Sequence, residues 1–359
     1  MTSDPVLDPA SFSTTLSPTR AERLFQGIPG IERSPGGLLW ATWYAGGPDQ
    51  PGEGPNNFLV LAASRDGGLH WEETALVHPP TPELRVFDPC LWVDPLGRLW
   101  LFWAQSGEHF DGRAGVWASI AEHPDDPATG WSAPRRLCHG VMMNKPTVLS
   151  NGDWLLPAAV WRRGPRRHDF SSIGGSGVVA SADQGATWHL RGRAVPENPS
   201  YDEQMVLEGN DGSLRMLIRT RDGIAQSLST DAGRTWSPTR IAGIPHADSR
   251  FFLRRLASGR VLLVTHNPPT KGDAGLTGAR SHLTAWLSED DGATWRGGLL
   301  LDEREGISYP DGVEEPDGRI RIIYDRDRQH SREILLATFS ESEILSGEIA
   351  TGTLRQRVS

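Results

Sequence analysis

Cysteine is nearly missing from this chain: two residues, Cys90 and Cys138, in 359. Two cysteines build no disulfide framework, so both are expected to be core thiols in a reducing compartment. Long apolar runs are missing as well. The longest, such as "RVLLVTH" and "RIRIIYD", are strand-sized and far short of the ~20 residues that a membrane span needs. The opening "MTSDPVLDPASFSTTL" carries acid and proline where a secretory leader carries a basic end and an apolar stretch, so the expected location is the cytoplasm, with no membrane partner. Positive charge is not in excess. A net charge of -9 leaves no basic stripe to displace counterions from phosphates, which excludes nucleic acid and requires an anionic ligand to be met by local arginines. The eleven histidines are scattered without an HExxH or a Cys/His cluster, and no acidic segment has the spacing of a calcium loop, so neither metal nor cofactor is expected. Helical periodicity is almost absent.

What is present is repetition. "SRDGGLHW" at Ser64, "SADQGATW" at Ser181, "STDAGRTW" at Ser229 and "SEDDGATW" at Ser288 keep Ser, Asp, Gly and Trp at fixed offsets. Each octet predicts a tight hairpin turn. The Asp side chain accepts hydrogen bonds from backbone N–H groups two residues onward, the Gly supplies a positive φ, and the Trp plugs against its own sheet. The device is structural rather than chemical. A fifth, damaged copy with an insertion lies in "ASIAEHPDDPATGW", Ala118 to Trp131.

A longer unit surrounds the octets. Six segments join a short apolar strand, a Gly turn and a stronger apolar strand: "IPGIERSPGGLLWATWY", "DPCLWVDPLGRLWLFWA", "KPTVLSNGDWLLPAAVW", "EQMVLEGNDGSLRMLIR", "SRFFLRRLASGRVLLVTH" and "YPDGVEEPDGRIRIIYD". They read as antiparallel hairpins. A third strand follows most of them, as in "FLVLAAS", "AGVWASI" and "SGVVASA", and a fourth is expected beyond it. Six four-stranded units of roughly 46 to 60 residues match the per-blade repeat of a β-propeller. The expectation is an all-β fold, a single six-bladed propeller domain over residues 1–359. The outer strand of its last blade would come from the N-terminal segment, about residues 1–20, or from the tail. Most of the 14 Trp, as in "WATWY" and "WLFWA", are assigned to the core.

In such a propeller the first strand of each blade lines the central channel. The strand starts are Gly27, Asp88, Asn144 with Lys145, Glu203, Asp248 with Ser249, and Tyr309, a polar ring at one mouth. A Glu, a Tyr and nearby arginines at a shared mouth form the kind of constellation that supports chemistry.

The octets, of the form SxDxGxTW, and these strand starts resemble the sialidases and their relatives with Asp-box repeats, over nearly the whole chain from "IPGI" to "IIYD". The resemblance implies a Tyr nucleophile at the last inner strand, a Glu that deprotonates it, three Arg clamping a sugar carboxylate, and a first-blade acid as proton donor. "SYPDG" matches the nucleophile at Tyr309. "YDEQMVLEGNDGSLRMLIRTRDG" matches the Glu and the second Arg at Glu203 and Arg219, and "GARSHLTAWLSEDDGATW" the third Arg at Arg280. Two departures stand out. The first clamp Arg falls on Gly27, and the loop "YAGGPDQPGEGPNN" offers Asp49 and Glu53 for the acid without deciding between them. The basic loop "WRRGPRRHDFSS", through Arg162, Arg163, Arg166 and Arg167, is a candidate replacement for the lost arm. The implied activity is hydrolysis of a terminal acidic or atypical sugar, with an anionic carbohydrate as partner and Asp88, Asn144, Lys145, His139 and Tyr201 as further contacts. Propeller lyases of uronic acids also resemble this pattern, and would use His139, Tyr201, Arg219 and Tyr309, with Lys145 as an extra cation. A propeller that binds sugar without turnover is the third reading.

Overall fold

The computed structural model describes residues 4–107, 113–162, 171–244, 246–269, 277–349 and 355–359. Within them the chain forms six antiparallel blades of four or five strands, a six-bladed β-propeller. Blade 1 runs from the axis outward as Phe25–Arg33, Leu39–Gly46, Phe58–Ser64 and Glu72–His78, and later blades repeat that order. Blade 3 departs from it. Its second strand is split into Trp154–Leu156 and Ala159–Val160, both paired with Gly175–Ser181, because Pro157 has no N–H to give to the ladder.

The second strands Leu39–Gly46 and Leu99–Ser106 are buried at every residue, since each lies inside its own sheet and is covered by neighbouring blades. Trp40, Trp43, Trp100 and Trp103, all under 2% exposed, fill the space between blades.

The octets close the turn between the third and outer strands of blades 1, 3, 4 and 5. In the Ser229 copy, Asp231 accepts from the backbone N–H groups of Arg234 and Thr235 at 3.0 and 2.9 Å, and Ser229 accepts from Gly233 N–H at 3.0 Å. The reach is three and four residues rather than the two expected. Two consecutive left-handed residues, Ala232 at φ 57° and Gly233 at φ 86°, fold the chain back beneath the carboxylate. The Trp both packs on the core and is held at the turn: Trp236 is half-buried against the Leu214 and Met216 cluster and donates to the Gly233 carbonyl at 3.0 Å. The damaged fifth copy docks sideways, with the Pro124 carbonyl accepting from Trp40 Nε1 at 2.7 Å and Asp125 from Gly36 N–H at 2.7 Å. Blade 6 replaces the octet with a short helix, Glu341–Ser346, capped by Ser340 and ended by Gly347 at φ 71°.

The tail closes the ring. Arg355–Arg357 pairs with Leu335–Ala337 as the outer strand of blade 6, while Ser11–Ser13 adds a fifth strand to blade 1 against Leu76–His78. The N-terminal segment therefore does not complete the last blade.

A buried ionic network crosses the axis. Lys145 Nζ pairs with Glu32 at 3.1 Å and Asp311 at 3.2 Å and donates to the Leu91 carbonyl at 2.7 Å. Burial works against its charge, but Asp311 and Glu32 outweigh it and hold the ammonium above the ordinary lysine value. Arg250, fully buried, donates to Asn144 Oδ1 at 2.7 Å and the Pro29 carbonyl at 3.2 Å and lies 3.2 Å from Asp311. Asn144 Nδ2 in turn donates to the carbonyls of Glu203 and Gln204 at 2.9 and 3.0 Å. Asp311 is the anion shared by both cations. Asp311→Ala is expected to lower unfolding stability by about 3–5 kcal/mol, measured by denaturant titration, because it removes the carboxylate facing buried Arg250 and one of the two that hold Lys145.

Candidate active site

Four inner strands carry the same irregularity at the channel mouth. Their registers shift between Gly27 and Gly30, Phe87 and Cys90, Asp202 and Met205, and Ser308 and Asp311. Inside each bulge one residue takes a left-handed backbone: Ile28 at φ 55°, Asp88 at 51°, Glu203 at 40° and Tyr309 at 57°. Such conformations are unfavourable for side chains of this size and persist only where the surroundings impose them. A bulge breaks the in–out alternation and aims one side chain out of sequence, here into the mouth.

Ile28, Asp88, Glu203 and Tyr309 accordingly meet in one cavity of about 130 Å³, together with Glu53, Arg85, Phe87, Trp161, Tyr201, Arg219, Arg280 and Arg328. Its centre is a closed set of hydrogen bonds. Tyr309 Oη donates to Glu203 Oε1 at 2.7 Å, and Arg219 Nη1 donates to that same oxygen at 2.7 Å and to Tyr309 Oη at 2.9 Å. Asp248 fixes the far side of Arg219, its carboxylate 2.6 Å from Nε. The Asp248 carbonyl accepts from Arg219 Nη2 and Arg280 Nη2, both at 2.9 Å, so the two guanidinium groups share one anchor. Arg280 and Arg328 lie over the Tyr309 ring, 5.5 and 4.4 Å from its centroid, and Arg219 lies 4.8 Å from the Tyr201 ring.

Burial and the Glu203 carboxylate push the Tyr309 phenol up, so it rests neutral and serves as donor to Glu203. Burial pushes Asp88 up to about 8, with the Glu53 charge adding to the effect and Arg85 opposing it. Asp88 thus presents a protonated carboxyl group at neutral pH. Asp202, beside Glu203 in sequence and buried, is raised to about 7, mainly by desolvation. Asp248 goes the other way: burial would raise it, but Arg219 holds it below the usual carboxylate range.

The sequence of residues 37–322 matches a BNR repeat-like domain. The chain is a BNR-repeat propeller of the sialidase superfamily. A curated sialidase of Micromonospora viridifaciens is 27% identical over 342 residues, 83% of this chain and 49% of that protein. The chain spans about half the length of this relative. A Hadza microbial sialidase, Hz136, superposes with a TM-score of 0.68 at 20% identity, over 90% of this chain and 67% of its own. A protein of unknown function from Dyadobacter fermentans gives a TM-score of 0.64 at 20% identity, over 86% of this chain and 92% of its own. At these identities the structural likenesses show the fold alone.

On this sialidase-superfamily propeller, Tyr309, Glu203, Arg219, Arg280, Asp88, Tyr201 and Glu53 come together at the mouth. Other expected residues do not. Asp49 lines a separate cavity of about 310 Å³ with Pro18, Asn56 and His78, on the outward side of the first-blade loop. Asn144 and Lys145 are consumed by the axial network: Asn144 supports the Glu203 bulge from behind and Lys145 bridges inner strands. His139 ends the outer strand of blade 2, Arg135–His139, beside Arg136, so an outer strand rather than the mouth carries it. Arg162 is exposed, donates to the Pro196 carbonyl and is not among the residues lining the cavity, while Arg163, Arg166 and Arg167 lie outside the described residues. Two cavity cations, Arg85 and Arg328, were not foreseen. The signal for Arg85 was its place three residues before Asp88, and for Arg328 the run "DRDRQH" just past the last hairpin.

Because the native state binds the Asp88 proton more tightly than the unfolded chain, stability falls as pH rises from about 4, the unfolded value, through about 8. Asp88→Asn removes that penalty. The melting temperature of the variant should equal that of the wild type near pH 4 and exceed it increasingly up to pH 9, by scanning calorimetry.

Proposed function

We propose that the protein is a glycoside hydrolase that releases a terminal acidic sugar, with Tyr309 as nucleophile and Glu203 as its base. The observation that carries this reading is the buried triangle of Tyr309, Glu203 and Arg219, with contacts of 2.7, 2.7 and 2.9 Å. An anomeric carbon that bears a carboxylate repels an anionic nucleophile. A neutral phenol avoids that repulsion if its proton leaves as the new bond forms.

In the proposed reaction Tyr309 Oη bonds to the anomeric carbon and its proton passes to Glu203. The glycosidic C–O bond breaks, and its oxygen takes a proton from Glu53, the carboxylic acid of the first-blade loop that faces the cavity. Water then bonds to the anomeric carbon as the bond from that carbon to Tyr309 Oη breaks, Tyr309 recovers its proton from Glu203, and Glu53 takes the proton of the water. Arg219 and Arg280, tied to one carbonyl, are spaced as a fork for the sugar carboxylate. The protonated Asp88 offers a hydrogen-bond donor to a ring hydroxyl. A cavity of about 130 Å³ favours an end group over a polymer chain. The similarity to a protein named a sialidase, at 27% identity, supports an acidic sugar. Elimination from a uronic acid is disfavoured, because the His139 that would serve as base sits on an outer strand.

The test is release of an aryl leaving group from a ketoside of N-acetylneuraminic acid and from an aryl glucuronide. Wild type is expected to cleave an acidic glycoside without forming an unsaturated product. Tyr309→Phe and Glu203→Gln are each expected to lower kcat by about 10²–10⁴-fold with the circular dichroism unchanged. Binding of acidic sugars without any turnover would leave a binding module, and full turnover by Tyr309→Phe would end the proposal.

A further inference from the structure

Gly27 stands where the resemblance placed the first clamp arginine, yet the space above it is filled. A Cβ added to Gly27 would stand 2.7 Å from Arg328 Cδ and 2.8 Å from its Cγ and Nε. Arg328 arrives from blade 6, just after its second strand Arg319–Arg326, and its carbonyl accepts from Gln26 N–H at 3.1 Å on the same inner strand as Gly27. Gly27 is outside the left-handed region, so this residue is small because of the arginine and not because of its own backbone.

The guanidinium is fixed from behind. Nε donates to Asp325 at 3.0 Å and Nη2 to Ser308 Oγ at 3.0 Å, and the Asp325 carboxylate is itself tied to Ile28 N–H at 2.7 Å. Burial opposes the charge, but Asp325 and Glu53 raise the group further above the ordinary arginine value. The remaining edge points at the cavity, where Nη1 donates to Glu53 Oε1 at 3.0 Å. Glu53 is the more accessible partner, its side chain 32% exposed against 14% for Arg328. A guanidinium held on two edges and capped on the third by a loop carboxylate is preorganised for one incoming carboxylate at small entropic cost.

We propose that Arg328 supplies the clamp arm that the first inner strand lacks, and that the sugar carboxylate binds it by displacing Glu53, which then takes up one proton. The inference rests on the glycosidase reading and adds how the proton donor is charged. Before ligand enters, Glu53 is paired with Arg328. Once a ligand anion holds that guanidinium, Glu53 has lost the contact with Arg328 and faces a second negative group, and both effects favour the protonated form. The donor holds its proton only when an acidic sugar is seated.

Isothermal titration of 2,3-unsaturated N-acetylneuraminic acid, its methyl ester and glucuronic acid, each at pH 6 in two buffers of different ionisation enthalpy, tests this. Wild type should bind an acid with uptake of close to one proton, and Glu53→Gln should bind it with none. Arg328→Ala should weaken the acid by about 10- to 100-fold, the range for a lost charged hydrogen bond, and leave the ester unaffected. Arg328→Lys should recover part of the loss, and Gly27→Arg in the Arg328→Ala background should restore affinity from the family position. Acid affinity that is unchanged in Arg328→Ala, or proton uptake that persists in Glu53→Gln, overturns the inference while the functional reading stands. A wild type that binds none of the acids overturns both.

Discussion

One buried guanidinium holds the mouth of this propeller together. Arg219 belongs to the second strand of blade 4, yet its donors reach Glu203 in its own blade, Tyr309 in blade 6 and Asp248 at the approach to blade 5. A charge almost fully buried is tolerable only if carboxylates compensate it and every N–H finds an acceptor. That requirement fixes where the three partners stand relative to one another. It also explains why the Tyr309 hydroxyl rests as it does, accepting from the cation and donating to Glu203, with no freedom to turn away.

The axial network beneath the mouth does complementary work. Asp311, Lys145, Arg250 and Asn144 tie the inner strands of several blades by side chains, where the ladder hydrogen bonds of each blade cannot reach its neighbours. Asn144 extends this to the site, since its amide grips the backbone at the Glu203 bulge. The strained left-handed residues at the mouth are thereby held by a rigid floor rather than by their own preference.

The expected site was legible where one residue type at one strand start carried the pattern. Tyr309 in "SYPDG", Glu203 and Arg219 across one hairpin, and Arg280 ahead of its octet all arrive at the cavity. Residues assigned by proximity along the chain fared worse. Lys145 lies one position from Asn144 and at the correct strand start, but the channel interior needed a cation for Asp311 and took it. His139 is five residues before Asn144, yet those residues cover the passage from an outer strand back to the axis, a whole blade width away. Asp49 and Glu53 share one loop, and only the fold of that loop separates the outward side chain from the one facing the cavity.

By itself the sequence determined the architecture. Gly, Asp and Asn turn chemistry and short apolar strands are local signals, and the sixfold recurrence of such hairpins specifies blades whose faces can be buried only against copies of themselves. It also determined the chemical types at the strand starts. The tertiary structure decided which of those side chains share a cavity, how burial resets their protonation, and that the space over Gly27 is filled by Arg328, about 300 residues away along the chain in blade 6. These outcomes depend on ring closure, which brings first and last blades into contact through distances that no local pattern encodes.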